Sequence, residues 1–266
     1  LENLEALARI GPDALIIQDL GLLHLARRFF PELRLHASTL MTATSSLAAS
    51  RFASLGFCRV VLARELSLAE IRTIGERSGV ELEIFIHGAM CFSYSGLCRF
   101  SSLHGGKSSL RGQCVQPCRR RYDWLPSGKR AAAAGGRGGG YLFSMKDLNG
   151  IDHLAGARAA GVVSLKIKGR LKSVEYVRST VRVYRLALDA MEAPLGRRDQ
   201  LLAEAHRCLE ESMGRKRSPG FFVPGAEAGL IVPRLSGNTG EVVGRVVRLE
   251  LSGGRKGAAA AAAQVE

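Results

Sequence analysis

The chain has 266 residues, 46% of them hydrophobic, enough for one α/β domain with a sizeable core or for a domain with a small appendage. Its 38 Lys and Arg outnumber 24 Asp and Glu for a net charge of +14, a field that attracts polyanions such as RNA or an anionic membrane surface. No segment approaches 18 consecutive apolar residues, which excludes an encoded membrane span. The opening Leu1-Glu2-Asn3-Leu4 has neither a leader pattern nor an initiating Met, so the chain reads as cytoplasmic and as a piece of something longer.

From the N-terminus, short apolar runs alternate with helical stretches. Residues 13–17 read as a fully buried strand, 22–30 as a helix, 33–37 as a strand and 45–55 as a helix. Residues 59–63 form a third strand. In the helix that follows, Ser67 and Glu70 make a capping box and Leu66 staples to Ile71. Gly79 ends that helix, and residues 81–86 make a fourth strand. Near-continuous apolar strands alternating with helices predict a parallel sheet with helices outside. The repeat of about 24 residues suits a (β/α)8 barrel or a doubly wound sheet. No G-x-G-x-x-G opens a helix, which weakens the dinucleotide-binding version.

Residues 91–140 break the pattern with clustered cysteines, many Gly and Ser, and the run Arg119-Arg120-Arg121, ending in a low-complexity stretch at 131–140 that reads as a flexible loop. Residues 162–167 form a fifth parallel strand. A helix from Ser173 to about Met191 follows, with Val177, Val181, Tyr184, Leu188 and Met191 as its buried stripe. Arg178, Arg182 and Arg185 make a second stripe that reads as a solvated face, with tracking of phosphates as the alternative. Five strands fall three short of a closed barrel, so either the sheet is open or the first barrel units lie outside this sequence. The expected organisation is a barrel-type domain at 1–214 with a Cys-rich insert at 91–140, the start of a small β-rich domain at 215–252, with a hairpin at 240–247, and a low-complexity tail at 253–266.

Six cysteines in a chain this long do not make a disulfide scaffold. Cys58 and Cys208 sit in apolar or helical contexts and read as small buried hydrophobes. The other four fall as Cys91-x6-Cys98-x15-Cys114-x3-Cys118. Four thiolates are soft ligands suited to zinc or an iron–sulfur cluster. Paired C-x-x-C knuckles are absent, and the looser spacing suits a loop that wraps a larger cubane. The flanking Lys107, Arg111, Arg119, Arg120 and Arg121 are expected to lower the thiol pKa values and offset cluster charge.

The stretch His87-Gly88-Ala89-Met90-Cys91-Phe92-Ser93-Tyr94-Ser95-Gly96-Leu97-Cys98 resembles the signature of the peptidase U32 family. Supporting phrases are Leu35-His36-Ala37-Ser38-Thr39, Leu62-Ala63-Arg64-Glu65-Leu66-Ser67, Arg111-Gly112-Gln113-Cys114-Val115-Gln116-Pro117-Cys118-Arg119 and Lys166-Ile167-Lys168-Gly169-Arg170. The resemblance implies the later part of a (β/α)8 barrel and a [4Fe-4S] cluster on Cys91, Cys98, Cys114 and Cys118, with zinc as the alternative. It further implies oxygen-independent hydroxylation of a tRNA or rRNA pyrimidine, drawing on a prephenate-derived co-substrate. Other relatives hydroxylate a ubiquinone precursor, and the family label implies a collagenase-like peptidase. Lys168 stands where relatives usually carry Glu, and the 131–140 insert is private to this chain.

No G-x-S-x-G, H-E-x-x-H or Cys-His signature supports a peptidase. Polar residues at strand ends, His36, Ser38, Arg64, Glu65, His87, Lys166 and Arg170, are where a parallel barrel gathers its chemistry. His36, His87, Lys166 and Arg170 are the catalytic candidates, with a hydrogen-bonded packing role as the alternative for the two histidines. Lys166, Arg170 and Arg119, Arg120 and Arg121 are the candidates for meeting phosphates or an anionic co-substrate. The leading expectation is an iron–sulfur RNA base hydroxylase. A quinone-ring hydroxylase, a protease and a non-catalytic RNA-binding module with a structural metal stay open. Missing strands would leave a sheet edge that a partner or an absent segment covers.

Overall fold

A computed structural model describes residues 1–123, 139–169, 172–212 and 214–237, with the backbone of two further strands at 246–251 and 261–265. The described part is a mixed α/β structure with a mostly parallel sheet. Helix α1 (Glu2–Ile10) leads into β1 (Leu15–Ile17), α2 (Leu20–Phe29), β2 (Leu35–Ala37), α3 (Ser46–Ser54), β3 (Arg59–Val61), α4 (Leu68–Ser78) and β4 (Glu81–Ala89). Strands β1 to β4 pair side by side in chain order, all parallel. After the Cys-rich segment, with its short helix α5 (Phe100–Gly105), come β5 (Asp147–Asn149), α6 (Leu154–Ala159) and β6 (Val162–Ile167). Strand β6 adds parallel to β4, so the five parallel strands expected from the apolar runs are all present. The chain continues through α7 (Val174–Glu192), α8 (Leu195–Glu211) and β7 (Arg217–Ser218).

Local chemistry sets the helix starts. Asp19, Ser45 and Ser173 each accept a hydrogen bond from a first-turn N–H, and Ser67 and Glu70 form the full reciprocal capping box. Gly79, in the left-handed region at φ 63°, ends α4. Val60, Val61, Leu82, Ile84 and Ile86 form the dry centre of the sheet, and Ile71 and Ile74 of α4 pack onto the same core. Fully burying each such side chain stabilises the fold by about 1.5–3 kcal/mol.

Several expectations need correction. Strand β1 is not fully buried: it pairs with β2 alone among the described residues, and Ile16 is 49% exposed. The sheet is open among the described residues, as the count of five strands allowed. The buried face of α7 is Tyr176, Thr180, Val183, Tyr184, Ala187 and Ala190, whereas Val177 and Val181 face outward. Its arginine stripe is solvated as expected, with Arg182 bridging to Glu204 of α8 and Arg185 to Asp189.

Strand β7 pairs with β5, itself antiparallel to the end of β4, and Phe222 and Leu230 are buried in the main core. Strand β8 (Val246–Leu251) pairs antiparallel with β9 (Ala261–Val265). Backbone pairing needs no distinctive side chains, so an alanine-rich run gives no warning of it. The hairpin expected at 240–247 and the insert at 131–138 lie largely outside the described residues.

Candidate functional site

The C-terminal ends of β2, β3, β4 and β6 converge on a cleft of about 290 Å³. Ser38 follows β2, Arg64 follows β3, Cys91 follows β4, and Lys166 and Lys168 come from the end of β6. The Cys-rich segment folds over this end, so Cys91, Cys98, Cys114 and Cys118 all line the same cleft. The four thiols surround a space and do not meet at a point. Among the described residues, no three His, Cys, Asp or Glu stand close enough to grip a single metal ion.

Hydrogen bonds to small polar side chains hold the wrapping loop. Glu65 Oε1 accepts from the Ser95 N–H (2.8 Å) and hydroxyl (3.1 Å), and the Thr42 hydroxyl donates to the Ser95 carbonyl (2.7 Å). Ser109 donates to the Cys98 carbonyl (2.7 Å), and Gln18 reaches the Leu110 carbonyl (2.8 Å). Ser101, fully buried, donates to the Lys107 carbonyl and accepts from the Val115 N–H. Gly96 sits at φ 78°, where a Cβ would overlap the Leu40 carbonyl and the Thr42 hydroxyl, so only glycine permits this approach. Phe92, Phe100 and Tyr122 each meet Phe143 edge to face, and Phe100 and Tyr122 stack on one another.

Two sulfurs already have donors. Arg64 Nη1 lies 3.7 Å from Cys91 Sγ while its guanidinium covers the Phe85 ring, and the Gln116 N–H points at Cys114 Sγ at 3.3 Å. Burial pushes the Cys118 thiol upward, and Arg119 opposes but does not overcome it. The expected lowering by the basic flank therefore fails at Cys118, because desolvation disfavours its thiolate more than the neighbouring cation favours it.

Arg119 itself is turned inward. It donates to the carbonyls of Met90 (2.7 Å) and Met145 and to the Ser144 hydroxyl (3.1 Å). Those acceptors take three of its five N–H groups and hold it inward, so it clamps the loop to the end of β4. Arg120 and Arg121 are exposed, with Arg121 near Asp123.

Lys166 lines the cleft and bonds buried Glu83 (2.8 Å), which also accepts from Ser164 (2.9 Å) and approaches Arg59 (3.6 Å). Burial alone would raise the Glu83 carboxyl, yet Lys166, Ser164 and Arg59 together hold it below its usual range.

Neither histidine candidate reaches the cleft, whose lining contains no histidine. His87 is 2% exposed and shares its Nδ1 with the Tyr184 hydroxyl (3.2 Å). That hydroxyl also lies within hydrogen-bond distance of the Ile86 carbonyl and accepts from the Gly150 N–H, which ties the ring into a buried network. Burial and Arg217 push the imidazole down to about 4, which keeps it neutral and structural. His36 is likewise buried, its Nε2 without a partner and its pKa lowered by burial and Arg59. Arg170 lies outside the described residues. Sequence reasoning missed Lys168, Phe92 and Tyr94 as cleft residues. Lys168, two residues beyond Lys166 at the same strand end, was open to the same argument.

An α/β protein with a cysteine-lined cleft at the C-terminal ends of parallel strands is the class defined so far. The model of Peptidase family U32 matches residues 1–231, and the chain belongs to that family. A Helicobacter pylori protein named tRNA hydroxylation protein P is 40% identical over 195 residues, 71% of this chain and 46% of that protein. An Escherichia coli protein named as a 23S rRNA 5-hydroxycytidine synthase is 38% identical over 221 residues, 83% of this chain and 31% of that protein. A Porphyromonas gingivalis protein named Collagenase is 33% identical over 220 residues, 75% of this chain and 51% of that protein. The chain thus spans about half, or less, of these relatives.

Proposed function

We propose that this chain is the cysteine-bearing segment of an oxygen-independent RNA base hydroxylase that acts on a tRNA or rRNA pyrimidine. The observation that carries the reading is the gathering of Cys91, Cys98, Cys114 and Cys118 around one cleft with Arg64, Lys166 and Lys168. Relatives named for tRNA and rRNA hydroxylation support the same substrate class.

A [4Fe-4S] cluster fits the donor set: four soft thiols, positive neighbours to offset its charge, and a lining several ångströms wide where a lone zinc ion needs a tight tetrahedron. When bound, such a cluster supplies electron transfer or Lewis acidity toward the substrate. This chain's own residues do the rest. Arg64 and Lys168 present positive charge to a substrate phosphate or to the carboxylates of a prephenate-derived co-substrate. Lys166, held by Glu83, is a charge fixed in place before ligand arrives. Phe85 and Phe92 make the apolar wall that keeps water from the reacting ring. A protease of the Cys-His type has no base here, since no histidine lines the cleft.

We further propose that the open edge at β1 pairs with strands outside this sequence that complete a barrel, either a preceding segment or a partner protein. A tRNA or rRNA substrate supports a cytoplasmic location. Among the described residues no helix is long and apolar enough to cross a membrane.

The test is nucleoside analysis of tRNA and rRNA from a strain lacking the gene. Loss of one hydroxylated pyrimidine, restored by the wild-type gene and not by a Cys98→Ser version, supports the proposal. An unchanged nucleoside profile contradicts it.

A further inference from the structure

Tyr94 is the only exposed tyrosine among the described residues, Tyr141 being half-buried. Tyr176 and Tyr184 are buried, and the Tyr122 hydroxyl donates to the Pro117 carbonyl while its ring joins the aromatic cluster. Tyr94 lines the cysteine cleft, is 54% exposed, and has neither a ring partner nor a side-chain hydrogen bond among the described residues. Its neighbour Phe92 also reaches the cleft but spends its ring on Phe143, 4.9 Å away. A single exposed aromatic residue needs no explanation on an ordinary surface. Three further observations give this one weight.

The backbone around Tyr94 is fixed. Its carbonyl accepts from the Leu97 N–H, Ser95 is held by Glu65 and Thr42, and Gly96 presses against the Leu40 carbonyl. An exposed ring on a pinned loop is presented at little entropic cost to whatever binds it. The loop is also strongly basic: residues 91–123 contain six Lys and Arg and one acidic residue, Asp123. Arg119 points inward, while Arg99, Lys107, Arg111, Arg120 and Arg121 are exposed. Finally, Tyr94 lies three residues from Cys91, so its ring borders the space the four thiols surround.

An aromatic face set in a cationic rim beside a reactive cleft matches an unpaired nucleobase with its flanking phosphates. We propose that Tyr94 is the stacking platform that receives an unpaired base of the RNA and holds it at the mouth of the cysteine cleft. The inference rests on the RNA reading above and adds a named residue and a preference for unpaired RNA. A base must leave its helix for chemistry at the ring, and stacking on a protein aromatic offsets the neighbour stacking it gives up. Acidic peptides would also answer the charge, but the planar face is better matched by a base.

The test uses the full-length protein and a fluorescein-labelled 15-nucleotide RNA of mixed sequence, single-stranded or annealed to its complement. Wild type is expected to bind the single strand more tightly than the duplex. Tyr94→Ala should weaken single-strand binding roughly 5- to 100-fold, the loss of one base–aromatic stack. Tyr94→Phe and Tyr94→Trp should stay within about twofold of wild type. The slope of log affinity against log salt should not change, because the phosphate contacts survive. Iron content and denaturation midpoint equal to wild type in Tyr94→Ala exclude a folding defect. Equal losses in Tyr94→Ala and Tyr94→Phe would overturn the stacking role in favour of the hydroxyl. An unchanged affinity in Tyr94→Ala, with wild type binding RNA, would overturn this inference alone. If wild type binds gelatin peptides and neither RNA, the substrate reading falls and this inference with it.

Discussion

Replacing Arg119 with methionine separates two roles that a run of three arginines leaves indistinguishable. Methionine keeps most of the length and apolar stem while removing every donor. In the structure the guanidinium donates to Met90, Met145 and Ser144, joining the residue before Cys91, the residue after Cys118 and the lead into β5. Hydrogen bonds from a charged donor contribute about 1.5–3 kcal/mol each and are not additive when they share one group. Because the freed acceptors regain some water at a half-buried site, the expected loss is about 3–4 kcal/mol. For a protein of this size that lowers the melting temperature by roughly 6–16 °C. The assay is urea and thermal denaturation of the metal-free full-length protein, paired with iron content after reconstitution. Both the midpoint and iron retention should fall, while affinity for RNA at low temperature changes little. An unchanged midpoint together with a lost phosphate contact, read as a salt slope smaller by about 1, would refute the inward clamp.

His87 should make stability depend on pH. Its folded pKa of about 4 lies below the ordinary value of 6.5, so the unfolded chain binds a proton that the folded one excludes. Stability from this residue is intact above pH 6.5 and is lost as pH falls toward 4, by about 3 kcal/mol. Urea titrations at pH 7 and 4.5 should show a smaller difference for His87→Gln than for wild type; equal differences would contradict the assignment. Lys166→Met should destabilise by about 2 kcal/mol, because it strips a partner from buried Glu83. Adding Glu83→Gln should recover part of that loss, and strict additivity in the cycle would show that the pair is not coupled. Gly96→Ala should abolish iron retention, since its Cβ has nowhere to go between Leu40 and Thr42 and its backbone is left-handed. Normal iron content in that variant would show that the loop path is wrong.

The parallel core was legible because its strands are apolar runs, and the helices after β1, β2, β3 and β6 begin on side-chain caps. Asp19, Ser45, Ser67 and Ser173 all act as caps, and the run at residues 162–167 became β6. What escaped was set by partners distant in sequence. Strands β5 and β7 have three and two residues and form only because the ends of β4 and β5 offer them hydrogen bonds. The face of α7 was misjudged because Val177 and Val181 make as good a stripe as Tyr176, Thr180 and Val183, and a threonine at the core gave the wrong cue.

At the site, the spacing of the cysteines was enough to expect their gathering. The placement of His87 was not legible, because the register shifts between Phe85 and His87 and breaks the alternation that would put both on one face. His36 lies one pleat deeper than Ser38, roughly 6–7 Å down the strand from the cleft. Adjacent arginines look alike in sequence, and only the carbonyls waiting at Met90 and Met145 decide that Arg119 turns in.

The central claim is that the four cysteines hold a redox cluster. The most direct measurement is iron, sulfide and zinc content with a visible absorption spectrum, on anaerobically purified full-length protein and its Cys114→Ala variant. The account predicts about four irons and four sulfides per chain, with the visible band, lost in the variant. Stoichiometric zinc, or no metal with normal folding, would contradict it and remove the redox basis of the proposed hydroxylation.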